Sequence, residues 1–355
     1  MPAPASMSQN SLTRRLAFWK LPRMNVTSPD PTPQLSFEAV CSAHIRIRRH
    51  IHCTPVLSSR TLDSLCATRL FFKCENFQRT GAFKVRGAFN AVLSLPDEGA
   101  RKGVVTSSSG NQAAALSLAA RVRGIPAYVA MPRSAVPSKV EAVRRYGGEI
   151  IWVDGRSEIP TSEEYDATTL GIERKTGARL VHPYNDLLTI AGQGTCAVEL
   201  LNSNPDLDVI LAPVGGGGLL AGTALAAKTV KPSIQVIGCE PAAANDAQQS
   251  FRKGEIVPQS DPRTIADGLR TSLGTLTFPL IRSHVDDIVT VPEEAIVRAM
   301  RLTWETLKIV IEPSSAVPLA ALLEQRLPVA KKAVGIILTG GNANLEKLPW
   351  MRSAP

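Results

Sequence analysis

From about residue 103 onward, short apolar runs alternate with longer segments of helical periodicity. "GVVTSS" (103–108) reads as a strand and "NQAAALSLAARVRG" (111–124) as a helix stopped at Gly124. "IPAYVAMP" (125–132) is strand-like, and "PSKVEAVRRYGG" (137–148) is helical with Gly147-Gly148 at its end. "EIIWV" (149–153) is again a strand. The rhythm continues through "ARLVHP" (178–183), a helix over 190–203, "DVILAPV" (208–214), a helix over 219–230 and "IQVIGCE" (234–240). β-rich runs alternating with helices of about a dozen residues predict parallel sheets covered on both faces. No repeat at a solenoid period interrupts them. No linker marks a boundary, so one lobe is expected to be inserted within the other. Segments 34–105 and 186–350 would form the large lobe, and 106–185 the small one.

Composition narrows the function. The chain has 355 residues, 44% of them hydrophobic, which is enough for a sizeable core. No charge-free apolar run reaches the roughly 18 residues that a membrane span needs. The net charge is +9, but apart from "RIRR" (46–49) and the N-terminal stretch the basic residues are scattered. A nucleic-acid binder would gather them with aromatics on one element. A small anionic ligand suits this balance. The six cysteines include no Cys-x-x-Cys pair, which predicts reduced thiols in a cytoplasmic compartment. The five histidines have no zinc-binding spacing. Residues 1–33 set Arg14, Arg15, Lys20 and Arg23 against Asp30 alone. That composition reads as a disordered tail or as an organelle transit segment, the latter implying a mitochondrial destination.

Two stretches carry the chemistry. In "APVGGGGLLAG" (212–222) an apolar strand runs into Gly215-Gly216-Gly217-Gly218, and a helix follows. Four residues without Cβ atoms let backbone N–H groups crowd around an anion, and the helix N-terminus adds partial positive charge. A phosphate is the natural guest, yet neither the dinucleotide nor the Walker pattern is present. In "RTGAFKVRG" (79–87) a lone lysine, Lys84, sits between an aromatic ring and a β-branched residue, with glycines three positions away on either side. A framed lysine together with a phosphate cradle outside any nucleotide motif points to pyridoxal 5′-phosphate.

Five motifs in order then resemble the fold type II pyridoxal-phosphate enzymes, in the serine/threonine dehydratase and serine racemase group. They are "KCENFQRTGAFKVRGAFNAV" (73–92), "SSSGNQAAALSLAA" (107–120), "IAGQGTCAVEL" (190–200), "APVGGGGLLAG" (212–222) and "LTGGNANL" (338–345). The resemblance spans about residues 36 to 350. It implies a two-lobed, three-layer α/β/α fold like that of the tryptophan synthase β chain. By the same resemblance, Lys84 matches the Schiff-base lysine and Phe83 the ring packed on the cofactor. Asn111 matches the contact to the phenolic oxygen, Gly215, Gly216, Gly217 and Gly218 the phosphate cradle, and Thr339 the hydroxyl at the pyridine nitrogen. Ser109 matches the serine on the face opposite the lysine. Ser108, Ser109, Gly110, Asn111 and Gln112 match the turn that holds the substrate carboxylate. In "CEPAAANDAQQS" (239–250), Glu240, the Ala244 carbonyl and Asp246 match a site for Mg²⁺ or another divalent cation, whose oxygen ligation suits a hard ion. Relatives imply a homodimer acting on a small amino acid.

The pattern departs at Ala82, Gln112 and Ala114, where many relatives carry serine, histidine and glutamine. These positions face the substrate side and leave the lysine chemistry untouched. By the resemblance Tyr184 occupies a position lining the cofactor region that varies between subgroups, and it receives no role. The expected reaction is α,β-elimination from serine, threonine or 3-hydroxyaspartate, giving a 2-oxo acid and ammonia. Lys84 would remove the Cα proton, and the cofactor phosphate would protonate the leaving hydroxyl. The neutral Thr339 would disfavour transamination. Reprotonation from Ser109 would give a serine or aspartate racemase, and a cofactor-binding protein without turnover is the third reading. The chain ends soon after "LTGGNANL", so no C-terminal regulatory domain is expected.

Overall fold

Ten strands build two sheets in the computed structural model, which describes residues 35–108, 110–154 and 161–351. The expectations for residues 1–33 and for Ser109 fall outside the described residues. The larger sheet contains β1 (Val56–Leu57), β2 (Arg69–Cys74), β7 (Val209–Pro213), β8 (Gln235–Pro241), β9 (Asp287–Val291) and β10 (Ala333–Leu338), in the order β1-β2-β10-β7-β8-β9. Only β1 runs antiparallel, pairing with β2 at the edge. The smaller sheet is all parallel: β5 (Glu149–Val153), β4 (Ala127–Pro132), β3 (Val104–Ser107) and β6 (Arg179–Leu180), in that order.

The apolar runs are continuous because the central strands are buried on both faces. Along β7, Val209 and Leu211 join one core while Ile210 and Ala212 join the other. β10 divides in the same way, with Val334, Ile336 and Leu338 on one side and Ala333 and Ile337 on the opposite side. A period of two places alternate residues on opposite faces, and here both faces are covered by helices. Helices Leu187–Ser203 and Gly218–Val230 cover one face, and Glu293–Leu307 with Pro313–Leu323 cover the other. The predicted "ARLVHP" strand forms as only two residues, Arg179–Leu180. His182 takes over beyond them, and its Nδ1 accepts the backbone N–H groups of Tyr184 and Asn185.

Helix Lys84–Leu93 is held from below by a buried ionic cluster. The Arg86 guanidinium has no exposed surface; it pairs with Glu75 at 2.7 Å and with Glu199 at 2.7 Å. Lys73 also reaches Glu199 at 2.7 Å and donates to the Thr54 carbonyl. Two cations meet two carboxylates, so the cluster is neutral. Burial opposes ionisation of Glu199, but Arg86 and Lys73 together hold its carboxyl down at about 2. Helix Leu187–Ser203 can approach because Gly192 faces the chain at Arg86. A Cβ on Gly192 would lie 2.5 Å from the Arg86 carbonyl oxygen and 2.6 Å from Gly87 Cα.

Removing one member of such a cluster strands the others in a dry interior. Glu199→Gln is therefore expected to lower the unfolding free energy by about 3–5 kcal/mol, measured by urea denaturation at neutral pH. The native carboxyl titrates near 2, below the unfolded value of about 4.3. Its stabilisation is thus full above that unfolded value and disappears as pH falls toward 2, and the variant should lack this acid dependence.

Candidate active site

Between the two sheets opens a cavity of about 940 Å³. Phe83, Lys84, Ser108, Gly110, Asn111, Gln112, Thr339 and the four glycines 215–218 all line it. The motifs lie far apart in the sequence, and the topology gathers them because their loops follow the C-terminal ends of parallel strands. The potential cation residues Glu240, Ala244 and Asp246 lie elsewhere, at and beyond the end of β8.

Lys84 opens its helix, and the preceding residues are tied to the end of β10. Phe83 N–H donates to the Thr339 carbonyl at 2.9 Å, and Ala82 forms a bridge with Gly340. The Lys84 Nζ lies 5.2 Å from the Phe83 ring centroid and donates to the Pro183 carbonyl at 2.8 Å. Burial lowers the Lys84 pKa to about 8, against the opposing pull of Glu312. His182, two residues beyond β6, stays neutral, since burial and the Lys84 charge push its pKa to about 4.

The glycine turn leaves β7 and enters helix Gly218–Val230. Gly217 has φ +87°, a left-handed conformation that favours glycine. Gly216 is pressed by the Tyr184 ring, so an added Cβ would lie 2.3 Å from Tyr184 Cγ. The Gly216 carbonyl is turned away and accepts the Thr277 hydroxyl at 2.8 Å. What remains is a strand-to-helix turn without side chains at the positive end of a thirteen-residue helix, which fits a phosphate. A second helix N-terminus, that of Asn111–Arg123, faces the same cavity. Both amide atoms of Gln112 are buried there without a hydrogen-bond partner, as a substrate-recognising group would be.

Thr339 is buried, and its hydroxyl shares a 3.0 Å hydrogen bond with Ser315. Three cavity features escaped the sequence analysis. One is the contact of Tyr184, expected to line the cofactor region but without a role, with the glycine turn that it shapes. Another is Glu312, whose carboxylate accepts the Asn111 amide at 3.0 and 3.1 Å. Burial pushes Glu312 up to about 7, and Asp267 adds to the rise. The third is the contact between Lys139, from helix Pro137–Arg145, and Asp267. The Glu312 environment left a faint signal, a lone acid between "IVI" and the apolar helix "PSSAVPLAALL".

The pyridoxal-phosphate dependent enzyme family matches residues 47–340. The chain belongs to that family. It is 49% identical over 315 residues to a beta-hydroxyaspartate dehydratase of Paracoccus denitrificans (strain Pd 1222), covering 89% of this chain and 98% of the relative. It is 50% identical over 315 residues to a serine racemase of Arabidopsis thaliana, covering 87% and 94%. Among solved structures, maize serine racemase superposes with a TM-score of 0.85 at 47% identity, covering 88% of this chain and 94% of that one. The fold is thus that of the fold type II pyridoxal-phosphate enzymes, a mixed α/β fold with two largely parallel sheets. The donor set fits the cofactor: a desolvated amine, a cradle that a Cβ would obstruct, and a buried hydroxyl.

Glu240 and Asp246 are both buried. Burial pushes Glu240 up to about 9, with Asp246 adding to the rise, and burial pushes Asp246 itself up to about 7. Asp246 Oδ2 has no hydrogen-bond partner, which fits a cation ligand. Among the described residues, no group of three or more His, Cys, Asp or Glu side chains could hold a metal ion. A site here would need carbonyl or water ligands as well.

Gly216→Ala should drive the new methyl into the Tyr184 ring and weaken pyridoxal phosphate binding by about tenfold or more, measured as the cofactor dissociation constant by fluorescence. Condensation with the cofactor requires the free amine, which predominates above the Lys84 pKa. Loading of the apoprotein, followed by visible absorbance, should therefore accelerate with rising pH and level off above about 8.

Proposed function

We propose that this protein is a pyridoxal-phosphate-dependent ammonia-lyase. It would convert a hydroxy amino acid (serine, threonine or 3-hydroxyaspartate) to a 2-oxo acid and ammonia. One observation carries the reading: a desolvated lysine, a glycine phosphate cradle and a second helix N-terminus open onto one cavity. The likeness to a beta-hydroxyaspartate dehydratase and to serine racemases supports it.

When bound, pyridoxal phosphate supplies an aldehyde for amine condensation and a ring that takes up the electron pair left by the Cα proton. Gly215 to Gly218 would hold the phosphate, Phe83 the ring face, and Asn111 the phenolic oxygen. Thr339 would offer a neutral hydroxyl at the ring nitrogen, with Ser315 fixing its direction. Ser108, Ser109, Gly110, Asn111 and Gln112 would receive the substrate carboxylate at the helix N-terminus. Lys84, with its pKa lowered to about 8, is a base matched to removing the Cα proton near neutral pH. The elimination would remove one Cα proton and one β-hydroxide, a net loss of one water, and the enamine released would hydrolyse to the oxo acid and ammonia.

Racemisation is the second reading, and the similarity to serine racemases favours it. Ser109 would then deliver a proton on the face opposite Lys84. The lobe boundaries at 106 and 185, assembly as a homodimer, and Mg²⁺ at Glu240, Ala244 and Asp246 belong to the same proposal. The unpartnered Asp246 oxygen supports the cation.

The wild type with added cofactor should release ammonia and oxo acid from at least one of the three substrates. Lys84→Ala should reduce that rate by about 10³-fold or more. Chiral chromatography of recovered serine separates the readings, since racemase action produces D-serine. Mg²⁺ should raise the melting temperature by about 2–5 °C in the wild type, and Asp246→Asn should abolish that rise.

A further inference from the structure

The Asn111 amide is gripped on both sides by residues outside its own motif, Glu312 and Asn342. Its Nδ2 donates to both Glu312 oxygens, at 3.0 and 3.1 Å. Its Oδ1 accepts from Asn342 Nδ2 at 2.8 Å, and the same Asn342 group donates to the Thr80 carbonyl at 2.8 Å. Glu312 also accepts the Asn342 backbone N–H. The chain Thr80–Asn342–Asn111–Glu312 thus joins the turn before Lys84, the loop after β10 and the start of helix Asn111–Arg123.

Backbone geometry at two glycines makes room for this chain. A Cβ on Gly81, whose φ is +73°, would lie 2.4 Å from Asn342 Oδ1. A Cβ on Gly340 would lie 2.8 Å from a Glu312 oxygen. Glu312 is 5% exposed and lines the cavity. The charged groups around it are Asp267, from the turn before helix Thr277–His284, Lys139, from helix Pro137–Arg145, and Lys84.

An amide has two faces of opposite polarity, a carbonyl oxygen and an NH₂ group with two N–H bonds. A carboxylate beside Asn111 rejects the oxygen and accepts an N–H, while Asn342 takes the oxygen on the opposite side. One orientation survives. The two oxygens of a single carboxylate lie close enough together to share one N–H, and this leaves the second N–H for the cavity. We propose that Glu312 is a positioning residue: it fixes the Asn111 amide so that an N–H, and not the carbonyl oxygen, meets the cofactor's phenolic oxygen. The inference rests on the reading of this cavity as the pyridoxal-phosphate site with Asn111 at that oxygen. An amide reversed at that contact would set oxygen against oxygen, weakening the cofactor's hold and changing the charge on its ring.

The test uses the full-length holoenzyme, with the visible absorption band and the cofactor dissociation constant as readouts. Glu312→Gln keeps the shape of the side chain but can place a donor against Asn111. It is expected to shift the visible band and to weaken cofactor binding by about fivefold to tenfold. Asn111→Ala should shift the band in the same direction. In the double variant, binding should be no weaker than in Asn111→Ala by more than about twofold, because residues acting through one contact are not additive. Asn342→Ala removes the other grip at an exposed position and should produce a smaller shift of the same sign, which keeps the proposal testable should Glu312→Gln fold poorly. A lower melting temperature with an unmoved band would mean that Glu312 only packs, and losses that multiply in the double variant would mean an independent role; either overturns the proposal. A wild type showing no visible band with pyridoxal phosphate would instead sink the cofactor reading itself.

Discussion

The Arg86 guanidinium binds two carboxylates at once, and the placement of Lys84 depends on that grip. Glu75 follows β2, Glu199 belongs to helix Leu187–Ser203, and Arg86 sits in the second position after the lysine. A charge buried this deeply cannot exchange its partners for water, so the three elements have one low-energy arrangement. The lysine helix therefore enters the cavity at a fixed height and rotation. Lys73 completes the neutralisation, and the cluster carries no net charge beneath the site.

With the helix anchored from below, the residues before it can be strained and still be reproducible. Thr80 has φ +62° and Gly81 φ +73°, two consecutive left-handed residues leading to Phe83 and Lys84. Such a turn holds only where its surroundings over-determine it. Here the Asn342 amide, the Ala82–Gly340 bridge and the bond from Phe83 to Thr339 supply that constraint. The C-terminal strand thus shapes the approach to the lysine although more than 250 residues of chain separate Thr80 from Asn342.

The sequence made the strand–helix rhythm legible because continuous apolar runs have one comfortable home, the interior of a parallel sheet. The glycine turn was legible because four residues without side chains limit what a backbone can be for. Lys84 became legible once it was set beside that turn. Glu312 was not legible, and Tyr184 was legible only as a residue lining the cofactor region, because the importance of both comes from what they touch. Tyr184 matters because its ring lies on Gly216, and Glu312 because Asn111 and Asn342 converge on it. Those contacts join segments that no local spacing relates. The short β6 was misjudged for a similar reason. "VHP" has strand-like composition, yet His182 binds the backbone of the following turn and ends the strand early.

The proposed cofactor site would hold its oxygens in two ways that differ in rigidity. At the proposed phosphate cradle the donors would be backbone N–H groups at a helix N-terminus, fixed by the fold, with the Tyr184 ring against Gly216 and the Thr277 hydroxyl on its carbonyl. At Asn111 the donor is a side-chain amide, which rotation could reverse. A backbone donor has no wrong orientation, whereas a side-chain donor needs partners that reject one. Glu312 and Asn342 are those partners, and the cost is a carboxylate buried in the cavity wall. Burial and the Asp267 charge push its pKa up to about 7, while the Asn111 and Asn342 N–H groups and the Lys139 charge oppose the rise. A contact made by a side chain can be fixed in orientation by a charged partner, and that is the part proposed for the acid beside this site.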